Sequence, residues 1–192
     1  MAGFLTNDVP NIPVFDGGET FPIDTNQAAG ENPESGSMNL AQLAVALAIL
    51  GNRLSVLGIN GQRFVAGINI GFDALLTGIE VLVGSTGGTD KWIVELHDSA
   101  GVLVATSALA GVTAGTALTP QQIPFTAPYA AKAGKYFIAL QSNGNTAYFQ
   151  AINSPTWPFN TASIAGTFGV SANITPPTTY TADIGPSAAV YQ

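Results

Sequence analysis

The feature that most constrains the fold is a series of short apolar runs between Gln62 and Gln192, with turn sequences between them. In 91–98, the even-numbered residues, beginning with Trp92, share one face of an extended chain, and the odd-numbered residues, among them Glu95 and His97, share the other. Because a strand sends successive side chains to opposite faces, this alternation predicts half-buried strands.

Nine runs of this kind are predicted as strands. They are 63–70, 76–83, 91–97, 102–106, 121–126, 135–141, 146–152, 182–191 and a less regular run near 167–174. The turn Asp98-Ser99-Ala100-Gly101 joins two alternating runs and predicts a hairpin. No helical pattern separates the runs, so 59–192 is predicted to be a mainly-β domain, a jelly-roll-like antiparallel β-sandwich.

An extended N-terminal arm is predicted over 1–37, because this segment holds four prolines and six acidic residues but no Lys or Arg. Prolines at this density oppose both helices and sheet ladders. The arm also carries apolar side chains suited to docking into a groove on another chain: Phe4, Leu5, Val9, Ile12, Phe15, Phe21 and Ile23. The alternative is a solvated terminus without such contacts.

A short helix is predicted over 38–58, where every leucine falls at a spacing of three or four residues. These are Leu40, Leu43, Leu47, Leu50, Leu54 and Leu57. The spacing is that of a heptad seam, which predicts an interface between subunits. A helix packed on its own sandwich is the alternative, because further apolar residues widen the surface beyond a seam. Leucine at both seam positions does not fix the number of subunits.

The composition limits the kinds of partner that the chain is expected to bind. Hydrophobic residues make up 46% of the chain and charged residues 9%, against roughly a quarter in an ordinary globular domain. So few charges indicate surface buried against partners, including other copies of the chain. The formal charge of −7 argues against nucleic acid as a partner. The longest apolar run, 43–51, is too short to span a membrane, and no secretory signal peptide is apparent.

Groups for acid–base chemistry are scarce. His97 is the only histidine, cysteine is absent, and Lys132, Lys135 and Asp183 are the only charged residues after Asp98. We therefore predict no enzyme activity, catalytic residue, cofactor or metal site. A Ser–His–Asp triad would need His97 as its base, but a partly exposed strand histidine is the favoured interpretation.

Other ligand and catalytic sites stay open as less favoured alternatives. A glycosidase-type carboxylate pair would draw on Asp73, Glu80 and Glu95, which are equally well explained as outward-facing solubilising charges. Calcium would draw on Asp90 and Asp98 near turns.

An exposed binding face is a further alternative at Trp157 and Phe159. With Tyr148, Phe149 and Phe168 these aromatics would suit sugar stacking, although aromatic residues are more often core.

Several segments carry a family resemblance. Gly88–Gly101, Ala131–Gly144, Gly166–Gly169 and Thr175–Asp183, with the lead-in from Phe21, resemble β-sandwich proteins encoded among the virion genes of tailed bacteriophages. The resemblance covers most of the chain and consists of fold and turn patterns rather than catalytic motifs.

The resemblance implies a capsid decoration (cement) protein or head fibre. Such a protein would be made in the host cytoplasm and lie on the capsid exterior of the virion. It would bind the major capsid protein through its arm and associate with itself, as a homotrimer in many such proteins. A receptor- or glycan-binding tail-fibre or spike protein is the alternative.

Overall fold

The computed structural model describes residues 20–22, 37–39, 53–153 and 159–192. The chain divides into two compact units, 1–50 and 51–192. In the first unit, β1 (Thr20–Pro22) pairs antiparallel with β2 (Ser37–Asn39), with Phe21 opposite Met38. The rest of the predicted extended arm lies outside the described residues.

The described residues of the second unit form eleven strands. They are β3 (Arg53–Leu57), β4 (Gln62–Ile70), β5 (Ala74–Leu82), β6 (Lys91–His97), β7 (Leu103–Thr106), β8 (Val112–Thr113), β9 (Pro120–Ala131), β10 (Gly134–Ser142), β11 (Tyr148–Ile152), β12 (Thr161–Ala165) and β13 (Ala188–Tyr191). All of their strand pairs are antiparallel.

The largest sheet, the main sheet below, has the order β12-β4-β10-β6-β7, with β8 also pairing with β6. Its neighbours β4, β10 and β6 are far apart in sequence. The remaining strands form the ladders β13-β5-β9 and β11-β3, which isolated bridges connect at Val83–Phe149 and Ala151–Pro186. Successive strands therefore cross repeatedly between the main sheet and these two ladders.

The core lies between the main sheet and the two ladders. Trp92, Leu96 and Ile138 project from the main sheet and are fully buried, and they belong to one apolar cluster with Ile79 and Phe149 from the ladders. Burying a large apolar side chain stabilises a fold by about 1.5–3 kcal/mol.

The other face of the main sheet is covered as well. Val65, Phe137 and Ala139 lie on this outer face and form a second buried cluster with Ile174. Ile174 belongs to 166–183, a segment with no strand that follows β12. Both faces of the central strands are therefore shielded from solvent.

The mainly-β, antiparallel prediction is confirmed. The strand at 91–97 has the predicted bounds, and its even-numbered residues face the core. The Asp98–Gly101 hairpin forms as well, with Gly101 at φ 82° and its N–H donating to the Asp98 carbonyl.

Other strand predictions need correction. Residues 167–174 form no strand, and only Ala188–Tyr191 of the predicted 182–191 run forms a strand. The strand β12 was not predicted. Its sequence mixes small and polar residues, which give little apolar alternation to recognise.

The prediction of a helix over 38–58 is wrong for the two parts of this range that the structure describes. Ser37–Asn39 and Arg53–Leu57 are strands, and 40–52 lie outside the described residues. In β3, Leu54 and Leu57 fall on opposite faces because the side-chain period is two, and Leu54 is exposed. A spacing of three cannot hold this pair on one seam once the chain is extended. In the described residues, no helix has the length and hydropathy of a membrane span.

Candidate functional site: a buried carboxylate and an apolar groove

A cluster of polar side chains lies buried on the outer face of the main sheet. Strands β6, β10 and β4 place Glu95, His97, Gln141 and Arg63 next to one another, because each residue sits at an outward position of its strand. Glu95 and His97 are fully buried, and Gln141 and Arg63 are nearly so. These four residues are called the Glu95 cluster below.

The Glu95 carboxylate is the centre of the cluster. Gln141 Nε2 donates to Glu95 Oε1 at 2.8 Å, while His97 Nε2 lies 3.3 Å from Glu95 Oε2. Arg63 Nε lies 3.5 Å from the same oxygen, an ion-pair distance. Both carboxylate oxygens are thus engaged inside the protein, and the guanidinium balances their charge.

The segment 166–183 covers the cluster on the side away from the main sheet. Its Val170 carbonyl accepts hydrogen bonds from the Arg63 guanidinium and, at 3.1 Å, from Gln141 Nε2. Ile174 N–H donates to the Gly101 carbonyl at 2.9 Å, which fixes the segment to the β6–β7 hairpin. A Cβ on Gly101 would stand 2.1 Å from the Ile174 carbonyl oxygen, so the contact requires glycine there.

This geometry changes the interpretation of two residues. His97 was predicted to be partly exposed and Glu95 to be an outward-facing solubilising charge, and both are fully buried. They do point away from the core, as the alternation predicted, but 166–183 covers that face. A carboxylate whose two oxygens are occupied and that is closed to solvent acts as a structural hydrogen-bond acceptor here, since a general base must reach its substrate.

The other two carboxylates of the predicted pair lie elsewhere. Asp73 bonds to exposed Lys132 at 2.7 Å, and this hydrogen bond, with one from Ala133 N–H, lowers the pKa of Asp73. Glu80 on β5 accepts a hydrogen bond from Gln122 at 3.2 Å. Neither residue joins the Glu95 cluster.

Asp90 and Asp98, the predicted calcium alternatives, are acceptors within turns. Burial acts to raise the pKa of Asp90, but hydrogen bonds from Ala147 N–H, Thr146 N–H and Thr146 Oγ1 outweigh it, so the pKa is lowered. These three donors lie at 2.7–2.9 Å. Asp98 Oδ1 accepts the N–H groups of Ala100 and Val102, both at 2.9 Å. Within the described residues, no three acidic or histidine side chains form a metal-binding group.

An apolar groove runs between the second half of β4 and β13. One part, of about 280 Å³, is lined by Ile68, Asn69, Phe159 and residues 188–190. A second part, of about 390 Å³, continues past Phe72 to Gln192. No charged side chain is among the residues that line either part. This surface was not predicted, because it arises where two sheet edges meet.

The predicted aromatic face is divided. Phe159 is half-buried in the wall of the groove, and Trp157 lies outside the described residues. Phe149 is a fully buried core residue whose ring centroid lies 4.9 Å from that of Phe64. The core interpretation therefore holds for Phe149.

Most predicted assembly residues lie outside the described residues. These are Phe4, Leu5, Val9, Ile12, Phe15, Ile23, Leu40, Leu43, Leu47 and Leu50. Phe21 lies in β1, and Leu54 and Leu57 lie in β3.

Comparison with known proteins gives no match, whether to family models, curated proteins or solved structures.

Proposed function

We propose that the protein is a structural virion subunit that decorates or stabilises a phage capsid as an oligomer, anchored through its N-terminal arm. The observation that supports this most is the Glu95 cluster. The one histidine of the chain and the carboxylate beside it are buried, paired and closed off by 166–183. The groups best suited to acid–base work in the β unit thus serve its stability.

The charge distribution supports an arm with its own role. Residues 1–50 contain six acidic residues, all within 1–36, and no lysine or arginine. Their formal charge is therefore −6. Residues 51–192 hold all five basic residues and six acidic ones, hence −1, and the two values sum to the −7 of the chain. An acidic segment that also carries apolar side chains suits an apolar groove with a basic rim on the major capsid protein.

The sandwich is proposed to be of the jelly-roll type. The supporting feature is the path of the chain, which passes from the main sheet at β4 to the ladder at β5 and back to β6. It crosses again between β9 and β10, and between β11 and β12. Such crossings place sequence-distant strands side by side, as in Greek-key sandwiches.

Self-association is part of the proposal, with a homotrimer as the expected form. Leu40, Leu43, Leu47 and Leu50 stay predicted subunit contacts, and the exposed Leu54 of β3 supplies apolar surface on the β unit. Eight large apolar side chains of the described residues are exposed, four of them by more than half. In a chain with so few charges, this surface favours protein partners.

Particle binding by the full-length chain tests the proposal. The gene is deleted from the phage that encodes the protein, so that its virions lack the protein. Purified protein is mixed with these virions, and the bound copies are counted after sedimentation. We expect saturable binding that Ile12→Asp and Phe15→Asp together reduce at least tenfold, because a charge within a buried apolar contact opposes docking.

The control for that experiment is Leu109→Asp, which alters an exposed leucine of the β unit. Full binding by the arm variant, or no binding by the unaltered chain, would remove the capsid proposal. The groove at Phe159 does not favour the glycan alternative, because its lining offers Asn69 and Gln192 as the only polar side chains apart from the Tyr191 hydroxyl.

A further inference from the structure

Two Asn-Gly dipeptides lie in turns of the β unit, Asn60-Gly61 between β3 and β4 and Asn143-Gly144 directly after β10. Asparagine is a thermally labile residue, and a following glycine leaves the backbone nitrogen accessible because it has no Cβ. From the sequence alone, the two dipeptides are equally reactive. Both asparagines are exposed, so solvent exposure does not separate them either.

The carboxamide of Asn143 is held in place. Its Oδ1 accepts the Lys91 N–H at 2.7 Å, and the Asn143 N–H donates to the Lys91 carbonyl at 3.1 Å. The next residue is closely packed, because a Cβ on Gly144 would overlap the carboxylate of Asp90. That carboxylate is itself fixed by three hydrogen bonds from the residues that follow the turn. Asn143 and Gly144 therefore have little freedom to change their relative orientation.

The carboxamide of Asn60 has no such restraint. Among the described residues, no hydrogen bond involves its side-chain atoms, whereas its backbone N–H donates to Asn145 Oδ1 at 2.8 Å. The space around the next residue is open, because a Cβ on Gly61 would meet only the Gly166 carbonyl oxygen, at 4.0 Å. The Asn60 side chain can therefore rotate without breaking a contact of its own.

The backbone of this turn is ordered but weakly closed. Gly61 has φ 88°, and the Gln62 N–H donates to the Ile59 carbonyl at 3.2 Å, which is long for such a bond. An isolated bridge joins Asn60 to Ser142 of β10. Opening a short turn costs less free energy than unfolding a strand, so a local fluctuation brings the Asn60 carboxamide to the Gly61 nitrogen.

We propose that Asn60 is a site of spontaneous deamidation through a cyclic imide, and that the contact with Lys91 protects Asn143. The Gly61 nitrogen attacks Asn60 Cγ and forms an N–Cγ bond. Its proton passes to the side-chain nitrogen, which leaves as ammonia. Water then opens the ring. Breaking the new N–Cγ bond gives aspartate, and breaking the original peptide bond gives isoaspartate. No reactant other than water is needed.

The isoaspartate product would alter the support of segment 166–183. The Gly61 carbonyl accepts the Gly166 N–H at 2.9 Å, which ties the start of the segment to the turn. Isoaspartate at position 60 adds one main-chain atom directly before Gly61 and so displaces this carbonyl. The segment that covers the Glu95 cluster would then be anchored less firmly at its first residue. This inference goes beyond the proposed function and does not depend on capsid binding.

Peptide mapping of the full-length protein tests the proposal, after ageing at mildly alkaline pH, which favours loss of the proton from the attacking nitrogen. Trypsin releases Asn60 in the peptide 54–63 and Asn143 in the peptide 136–192, and fragment ions locate each modified residue. In folded protein, Asn60 should convert at least about threefold faster than Asn143, the effect of one net hydrogen bond. In urea the two rates should be similar, because only local sequence then acts.

Two glutamine variants form a matched pair for the same experiment. Asn60→Gln should remove most of the isoaspartate that accumulates in folded protein, because glutamine cyclises far more slowly than asparagine. Asn143→Gln should leave that amount unchanged. Both positions are exposed, so both variants are expected to fold, and circular dichroism verifies this.

Three outcomes would overturn the proposal. One is equal conversion of the two asparagines in folded protein, and another is faster conversion of Asn143. The third is no conversion of Asn60 in folded protein by the time that the unfolded chain is fully converted.

Amide hydrogen exchange tests the link to segment 166–183. The modified protein carries an additional negative charge, so ion exchange separates it from the unmodified protein. The Gly166 amide should exchange faster in the isoaspartate form, because its acceptor has moved. An unchanged exchange rate would contradict the link.

Discussion

The two faces of the main sheet are both buried, but they are built from different chemistry. On β6, Trp92 and Leu96 face an apolar core, while Glu95 and His97, from the same strand, face the segment 166–183. The inner face is held by apolar packing that tolerates few changes in volume. The outer face combines a small apolar cluster, to which Ile174 contributes, with hydrogen bonds and one ion pair around a carboxylate.

The comparison shows that burial and polarity are separate properties of a strand face. Alternation in the sequence identified which residues share a face, but it did not reveal that both faces are covered. Removing one member of a buried charged cluster leaves its partners uncompensated, whereas removing an apolar side chain leaves a cavity. The two faces should therefore respond to substitution by different mechanisms.

The largest effect is expected from Glu95→Ala. It leaves the Arg63 guanidinium buried opposite His97 and Gln141 with no carboxylate, which should reduce the free energy of unfolding by about 3–5 kcal/mol. Urea unfolding followed by tryptophan fluorescence measures this. Glu80→Ala, which removes a half-buried carboxylate from β5, is the control and should shift the free energy by less than about 0.5 kcal/mol. A loss of unfolding free energy for Glu95→Ala that is as small as that expected for Glu80→Ala would show that the cluster is not structurally important.

Truncating one apolar residue on each face sharpens the contrast. Leu96→Ala should cost about 2–5 kcal/mol of unfolding free energy, because it opens a cavity among fully buried side chains. Ile174 belongs to the outer cover itself and is 7% exposed, so Ile174→Ala should fall near the lower end of that range, about 2 kcal/mol. The same urea titration measures both variants. A larger loss for Ile174→Ala than for Leu96→Ala would mean that the outer cover, not the inner core, dominates stability.

Asp90→Asn tests a carboxylate that belongs to neither face. Its oxygens accept three hydrogen bonds, and an amide oxygen cannot replace both, so the loss should be about 1–3 kcal/mol at pH 7. The pKa of Asp90 is lowered on folding, so its contribution is complete above the unfolded pKa of about 3.9 and is lost as the pH falls through the folded value.

Thermal unfolding from pH 7 to pH 2.5 follows that dependence. The difference between the unaltered chain and Asp90→Asn should be constant down to about pH 4 and then shrink. A difference that grows on acidification would contradict the assigned hydrogen bonds.

The smallest effect is expected from Lys132→Ala. Its ion pair with Asp73 is short, at 2.7 Å, but both side chains are exposed, so solvent and salt screen it. The melting temperature should not change measurably at 150 mM salt, which is a typical result for exposed pairs. A clear fall in melting temperature would show that this surface pair acts like the buried one.

Much of the β unit follows from its sequence, and the exceptions have physical causes. The alternation in 91–97 and the Asp98–Gly101 turn are local signals, so strand β6 and its hairpin were predicted correctly. The leucine spacing in 38–58 also looked local, but the pairing of β3 with β11 places its last part in a ladder. Long-range pairing overrides such a pattern when the strand gains a partner.

The candidate site was the least predictable part. That Glu95 and His97 share a face follows from their spacing, but their burial depends on 166–183, whose Val170 carbonyl bonds to the neighbouring Arg63 and Gln141. Every residue has a backbone carbonyl, so the sequence does not show which one accepts these hydrogen bonds. The β13 groove is equally hidden, because it forms between strands that are more than a hundred residues apart in the chain.

The most direct test of the central claim, that the Glu95 cluster is a closed structural element, uses the only histidine of the chain. Diethyl pyrocarbonate modifies accessible imidazoles, and its reaction with His97 is followed by absorbance at about 240 nm. With His97 fully buried, the folded protein should react negligibly and the urea-unfolded protein completely. Rapid modification of the folded protein would contradict the account, because it would place His97 within reach of solvent and substrates.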